Sequence, residues 1–267
     1  MKTSFLRVLP ILLLLIGCAT TGPGGKKSVI LIPTGQEVAI GAGMARHVDT
    51  TENVLADPVW QNYINEVGQK IVAVSDRKNI EYHFTVIDSD QINAFAAPGG
   101  FIYFYTGLIR EMDDEAEFAS VLAHEISHVV GRHGIRRLQT ALGVAAAYEL
   151  VFGDSSSAVL NAAVSLGMGL LFADYSRDNE READAFGMHY MVKAGYNPNA
   201  MISMFNILAE KGSHESNVFE KLASSHPDTK ERINNAFRQL DEIKPLSPNL
   251  ILGQARFKQM LDRLPKK

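Results

Sequence analysis

Cysteine is all but absent from this chain. Cys18 is the single one in 267 residues, so no intramolecular disulfide staples the fold. An excess of positive charge is missing too. The 26 lysines and arginines face 30 aspartates and glutamates, a formal net charge of −4, and the lack of a basic stripe argues against a nucleic-acid partner. Long hydrophobic runs are also lacking: the apolar stretches at 9–16, 138–152 and 158–173 all fall short of the roughly 20 residues that cross a bilayer. What remains is the composition of one globular domain with a core of its own, 46% hydrophobic and 21% charged.

The lone cysteine sits at a junction. Lys2 and Arg7 precede an apolar run from Leu9 to Ile16, and the run closes in Leu15-Ile16-Gly17-Cys18, which resembles a bacterial lipobox. Residues 1–17 are therefore expected to be a lipoprotein signal peptide, with Cys18 lipidated as the mature N-terminus. Thr20 to Ser28, rich in glycine, threonine and lysine, reads as part of a flexible tether over 18–33 that holds a domain off a membrane. Ala19 rather than an aspartate follows the cysteine, and by resemblance to enteric sorting rules this points to the outer membrane.

The most informative stretch is His124-Glu125-Ile126-Ser127-His128. Two histidines four apart lie one above the other on a helix face, where two imidazole nitrogens can meet one Zn²⁺. Glu125, one residue round the helix, can reach a water at that metal and serve as its general base. The helix is well specified. Asp113 and Asp114 offer a cap and an acidic first turn, Phe118, Val121, Leu122, Val129 and Val130 form an apolar stripe, and Gly134 offers a stop after Arg132 and His133.

Around it, Thr34–Val48 reads as a helix with Thr34 and Glu37 in capping-box spacing. Asp57–Val74 reads as a second, with Pro58 in its first turn. Ile80–Asp88 is a strand, and its His83 is set aside as a structural histidine. Pro98-Gly99-Gly100 is a turn between Asn93–Ala97 and the β-prone Phe101–Tyr105. These strands form either an ordinary hairpin or an edge that pairs with an extended peptide. Leu138–Phe152 and Ala158–Ala173 read as a helical hairpin, either packed core or a lid or lipid-touching surface.

A further helix opens at Ser176, its cap, and stops at Gly195. Its apolar face runs through Ala183, Phe186, Gly187 and Tyr190 and carries Glu180 and Asp184, whereas Glu182 is expected to point away. Buried carboxylates are costly without a cation, and a metal carrying two histidines supplies one. The small Ala183 and Gly187 would let this helix approach the first closely.

HEISH followed by SRDNEREAD resembles the paired HExxH/ExxxD signature of the M48 family of zinc metallopeptidases, and NAFAAPGGFIYFYTGLI resembles the segment these enzymes carry just before the catalytic helix. The resemblance spans Gln36 to Arg232 and is closest to small periplasmic lipoprotein members and to the catalytic domain of longer members. It implies an α+β, mostly α, gluzincin core with a small sheet whose edge strand flanks the catalytic helix. Residues 34–245 would form this domain, and 246–267 a C-terminal linker and helix. By motif position it implies one Zn²⁺ per chain on His124, His128 and Glu180, with Glu125 as catalytic base. Asp184 takes the place of an aspartate that the family treats as a proton donor, although a carboxylate there suits the orienting of a ligand histidine. His226, in Ser225-His226-Pro227-Asp228, resembles a loop histidine that serves as a fourth ligand or transition-state donor. The other reading is a residue that merely precedes a helix begun by Pro227.

The implied function is a zinc endopeptidase on the periplasmic face of the bacterial envelope, lipid-anchored, acting on unfolded or misassembled envelope proteins. The alternatives are an envelope assembly factor that seldom cleaves and a purely structural zinc lipoprotein.

Overall fold

A computed structural model describes residues 18–21, 26–152, 157–212 and 229–266. The described residues begin with β1 (Cys18–Thr21), paired antiparallel to β2 (Lys26–Val29) as a short ribbon within the 18–33 segment. Helix α1 (Thr34–Thr51) follows, and here the capping-box reading fails. Pro33 is its cap residue with no side-chain bond, and Glu37 turns inward onto Arg77 and Arg132 instead of back to Thr34. Two buried guanidinium groups outcompete one backbone donor for the carboxylate.

Helix α2 (Pro58–Val72) starts as expected, with the Asp57 side chain accepting from Val59 N at 2.8 Å. It buries Trp60, Tyr63, Ile64, Val67 and Ile71. Strands β3 (His83–Ile87), β4 (Ala94–Ala97) and β5 (Phe101–Tyr105) form a sheet in the order β3-β5-β4. β3 runs parallel to β5, with His83 opposite Phe101, and β4 runs antiparallel to it, with Ala97 opposite Phe101. Gly99 and Gly100 make the β4–β5 turn at φ of 81° and 103°, values a side chain would strain. β4 is thus an edge strand, and it packs against the helix that carries the two histidines.

After α3 (Thr106–Ile109), that helix is α4 (Glu115–Val130). Its start is a reciprocal box: the Asp114 side chain accepts from Glu117 N at 2.9 Å, and the Glu117 carboxylate accepts from Asp113 N at 2.8 Å. Its end comes earlier than Gly134. Gly131 caps it, Arg132 takes a left-handed φ of 53°, and α5 (His133–Phe152) begins at the next residue. A tertiary contact sets this stop, because the Arg132 guanidinium is held by Glu37 and by the Ile32 carbonyl, each at 2.7 Å.

α5 breaks at Gly143 (φ 74°, ψ 168°) and packs on α6 (Ser157–Leu170), which in turn covers α1, so the apolar hairpin is built as expected. Among the described residues no helix is long and apolar enough to cross a membrane. Helix α7 (Arg177–Lys193) is capped by Ser176, which accepts from Asn179 N, and ends before Gly195 at φ 84°. Helices α8 (Asn199–Gly212), α9 (Thr229–Glu242) and α10 (Gln254–Leu261) follow among the described residues. The C-terminal helix is part of the core: Phe257 is fully buried edge-on to Trp60 and beside Phe118.

The sheet divides two apolar clusters. Ile102 and Phe104 face a large one formed with α2, α4, α7, α8 and α10, and Tyr103 and Tyr105 face a smaller one formed with α1, α5 and α6. The architecture is α+β and mostly helical, with one small mixed sheet.

Candidate metal centre

Among the described residues α4 and α7 form the most closely packed helix pair, and glycine makes that approach feasible. A Cβ on Gly187 would lie 3.2 Å from His124 N and 3.3 Å from the Ala123 carbonyl carbon, so a larger side chain would force the helices apart. Ala183, fully buried, is the other small residue at the contact. One turn away, His124, His128 and Glu180 converge, all buried, with one donor atom of each lying within 4.8 Å of the others. The two Nε2 atoms are 3.0 Å apart. Glu180 places Oε2 at 3.5 Å from His124 Nε2 and Oε1 at 3.4 Å from His128 Nε2.

These spacings bracket the about 3.3 Å that separates two donors on a tetrahedral zinc with bonds of about 2.0–2.1 Å. Two imidazoles and a carboxylate are also the donor chemistry that such a centre takes, so the residues present fit the ion. Among the described residues this is the one group of its kind.

Each histidine is held from behind. Asp184 Oδ1 lies 2.9 Å from His124 Nδ1. Arg232, at the start of α9, grips Asp184 with two bonds of 2.8 and 2.9 Å, reaches Glu180 at 3.3 Å, and stacks over Phe205. Burial alone would raise the Asp184 carboxyl, but the Arg232 guanidinium and the His124 hydrogen bond overcome it and hold the group below its ordinary value. Burial likewise works against a charged Arg232, yet Asp184 and Glu180 hold its guanidinium above the usual range.

Behind His128 lies His133, the first residue of α5, with the two Nδ1 atoms 2.9 Å apart and His133 Nε2 at 3.4 Å from Glu182 Oε1. Burial drives His128 well below its ordinary pKa and lowers His133 against the opposing pull of Glu182, so both rings are neutral at pH 7. The Tyr175 ring stacks on His128 with centroids 4.1 Å apart, and Arg137 lies over its other face. Burial pushes the Tyr175 hydroxyl up to about 12. Glu125 is buried beside His124 on α4. A narrow cleft lined by Ala96, Ala97, Pro98, His128 and Tyr175 brings the end of β4 to the His128 ring.

The family model described as "Peptidase family M48" matches residues 58–239, which contain the whole cluster. The chain belongs to peptidase family M48. It is similar to proteins named "Beta-barrel assembly-enhancing protease", being 32% identical over 79% of the chain and 45% of the relative in Yersinia pestis, and 29% identical over 83% and 48% in Escherichia coli K12. It is also 32% identical, over 68% of the chain and 52% of the relative, to "Mitochondrial metalloendopeptidase OMA1" of Schizosaccharomyces pombe. The chain thus spans about half the length of these curated relatives. M48 membership implies a metal, and His124, His128 and Glu180 are the residues that could hold it.

The structure brings His124, Glu125, His128, Glu180 and Asp184 to one buried place, whereas His226 lies outside the described residues. His83 is half exposed and stacked on Phe101. Glu182 corrects the expectation that it faces outward: it is buried, with Oε1 turned to Nε2 of the buried His133 at the start of α5. The sequence suggests only a cap for Glu37 and a helix end for His133, and no role for Tyr175. The one signal of a further role is a third histidine five residues past the HExxH motif.

Proposed function

We propose that this M48 protein is a zinc-dependent endopeptidase of the bacterial envelope that hydrolyses unfolded or misassembled periplasmic and outer-membrane proteins. The observation that carries the reading is the buried convergence of His124, His128 and Glu180 with Glu125 next to them on α4. When bound, zinc supplies a Lewis acid at this place and lowers the pKa of water to about 7. His124, His128 and Glu180 hold the ion. Glu125 takes the proton of the attacking water and returns it to the leaving amine. Asp184 accepts from His124 Nδ1–H and keeps Nε2 turned into the cluster, while Arg232 keeps Asp184 ionised and in place.

Substrate is offered as an extended strand. Among the described residues no strand pairs with the outer edge of β4, which ends at the cleft beside His128, so a peptide pairing there would be presented backbone-first to the centre. Sequence supports the remaining parts of the proposal: cleavage of residues 1–17, lipidation at Cys18, an outer-membrane location suggested by Ala19, and His226 as a fourth ligand or transition-state donor.

A second reading, an assembly factor that binds immature outer-membrane proteins with little proteolysis, is favoured by the words "assembly-enhancing" in the relatives' names. The test is casein hydrolysis by the chain from Ala19 onward, with zinc measured on the same samples. Wild type is expected to cleave, and Glu125→Gln to keep its zinc and lose cleavage. Zinc in both with cleavage in neither would move the assignment to the assembly factor.

A further inference from the structure

His128 has a problem that His124 does not. To offer the Nε2 lone pair to a metal, a neutral imidazole must carry its proton on Nδ1, and something must accept that proton's hydrogen bond. For His124 the acceptor is a carboxylate, Asp184. For His128 the atom facing Nδ1 is another ring nitrogen, Nδ1 of His133 at 2.9 Å, which can donate or accept. A ring that donated here would place the His128 proton on Nε2, pointing into the metal cluster.

Glu182 resolves the ambiguity. We infer that Glu182 and His133 form a two-link relay that fixes His128 in its metal-competent tautomer, making both of them positioning residues for the centre. The inference rests on the metal-site reading above. A carboxylate only accepts, so Glu182 Oε1, 3.4 Å from His133 Nε2, calls for a proton on that nitrogen. The His133 proton is then spent, and its Nδ1 presents a lone pair to His128. His128 Nδ1 must therefore carry the hydrogen, and its Nε2 is left as a lone pair turned towards Glu180 and His124. Glu180 Oε1 also lies 3.4 Å from a ring nitrogen, His128 Nε2, but with a metal between them neither needs a proton, so in the metal-loaded centre each link has one donor and one acceptor and Glu182 sets the direction. The reverse order would aim a lone pair at a buried carboxylate oxygen, an unmade hydrogen bond between two acceptors.

The surrounding backbone is built to admit the ring. Gly131 has an ordinary helical φ of −70°, so conformation does not demand glycine there. A Cβ at that position, however, would lie 2.4 Å from His133 Nε2 and 2.8 Å from Cδ2. The left-handed Arg132 then turns the chain so that α5 starts with His133 fully buried beneath the HExxH helix. Glu182 comes from α7, the helix that also supplies Glu180, so one element delivers a donor to the cluster and the anchor of the relay.

The experiment uses the chain from Ala19 onward. Long-range ¹H–¹⁵N NMR of the imidazoles is recorded with and without zinc, and zinc affinity is measured by chelator competition. Wild type is expected to show His128 protonated at Nδ1 and His133 protonated at Nε2. His133→Phe keeps the ring's bulk but accepts nothing, and zinc binding should weaken about 10–100-fold. Glu182→Leu should weaken it likewise, and Glu182→Gln, which keeps an acceptor oxygen, should lose less.

A His133 protonated at Nδ1, zinc bound through His128 Nδ1, or wild-type affinity in His133→Phe would each overturn the inference. Should His133→Phe not fold, the wild-type tautomers still decide. If wild type takes up no zinc, the metal-site reading fails, whereas the Glu182–His133 link is judged separately by whether His133 Nε2 of the zinc-free chain loses its proton in Glu182→Leu.

Discussion

Replacing Glu37 should destabilise this fold more than any substitution on the surface of α1. The carboxylate is buried at 1% exposure and takes bonds from Arg77 at 2.9 and 2.7 Å, from Arg132 at 2.7 Å and from Gly99 N at 3.3 Å. Arg77 and Arg132 are buried as well, so Glu37→Leu leaves two guanidinium groups without their counter-charge. Removing one partner of a buried ion pair costs about 3–5 kcal/mol. Each arginine keeps one backbone acceptor, Val129 O for Arg77 and Ile32 O for Arg132, which places the expected loss at the lower end, about 3 kcal/mol. For a domain of this size that is a fall of about 6–12 °C in Tm.

The assay is urea unfolding of the zinc-free chain, with a double-mutant cycle. In an Arg77→Met background one of the two cations is already gone, so Glu37→Leu should cost at least about 1 kcal/mol less than in wild type. A loss under about 1 kcal/mol in Glu37→Leu alone, or strict additivity in the cycle, would refute the claim that these charges hold one another in place.

Two other perturbations follow from the same geometry. Gly187→Leu should push α7 off α4, at about 1–3 kcal/mol for overpacking, and carry Glu180 away from the histidines. Zinc content after dialysis is then expected to fall below one per chain, and full occupancy would show that the close approach is not needed. Glu117 answers to pH: burial raises its carboxyl to about 7 from an ordinary 4.5. Between those values the folded chain holds a proton that the unfolded chain has released, so this group lowers stability as pH rises, by at most about 1.4 kcal/mol per unit. Glu117→Gln keeps an acceptor for Asp113 N and removes the slope. Its stability relative to wild type should be higher at pH 8 than at pH 5, and an unchanged difference would count against the shift.

What could be read from sequence was what lies along single helices. The caps at Asp114 and Ser176, the placing of His124 and His128 on one helix face and the inward turn of Glu180 and Asp184 all follow from local chemistry and a 3.6-residue period. What could not be read depends on a second element arriving. Glu37 stands in a capping-box position, yet Arg77 and Arg132 draw it into the interior. The stop of α4 moved three residues ahead of Gly134 because a contact from α1 holds Arg132 left-handed. Glu182 looked outward on a helix with one buried face, yet His133 from α5 meets its carboxylate in the interior. His133 was visible only as a basic residue near a helix end, since the ring it meets is identified by the fold.

The two apolar clusters on either side of the sheet have a consequence for how the molecule breathes. Local opening costs least where buried apolar contact is sparsest. The larger cluster binds α4 and α7, which carry the three donors, whereas the smaller one binds α5 and α6, split further by the break at Gly143. Amide hydrogens of α5 and α6 should therefore exchange through partial openings that leave α4 and α7 closed. The layer that covers His128 should then open and close as one unit while the helices holding His124, His128 and Glu180 stay assembled.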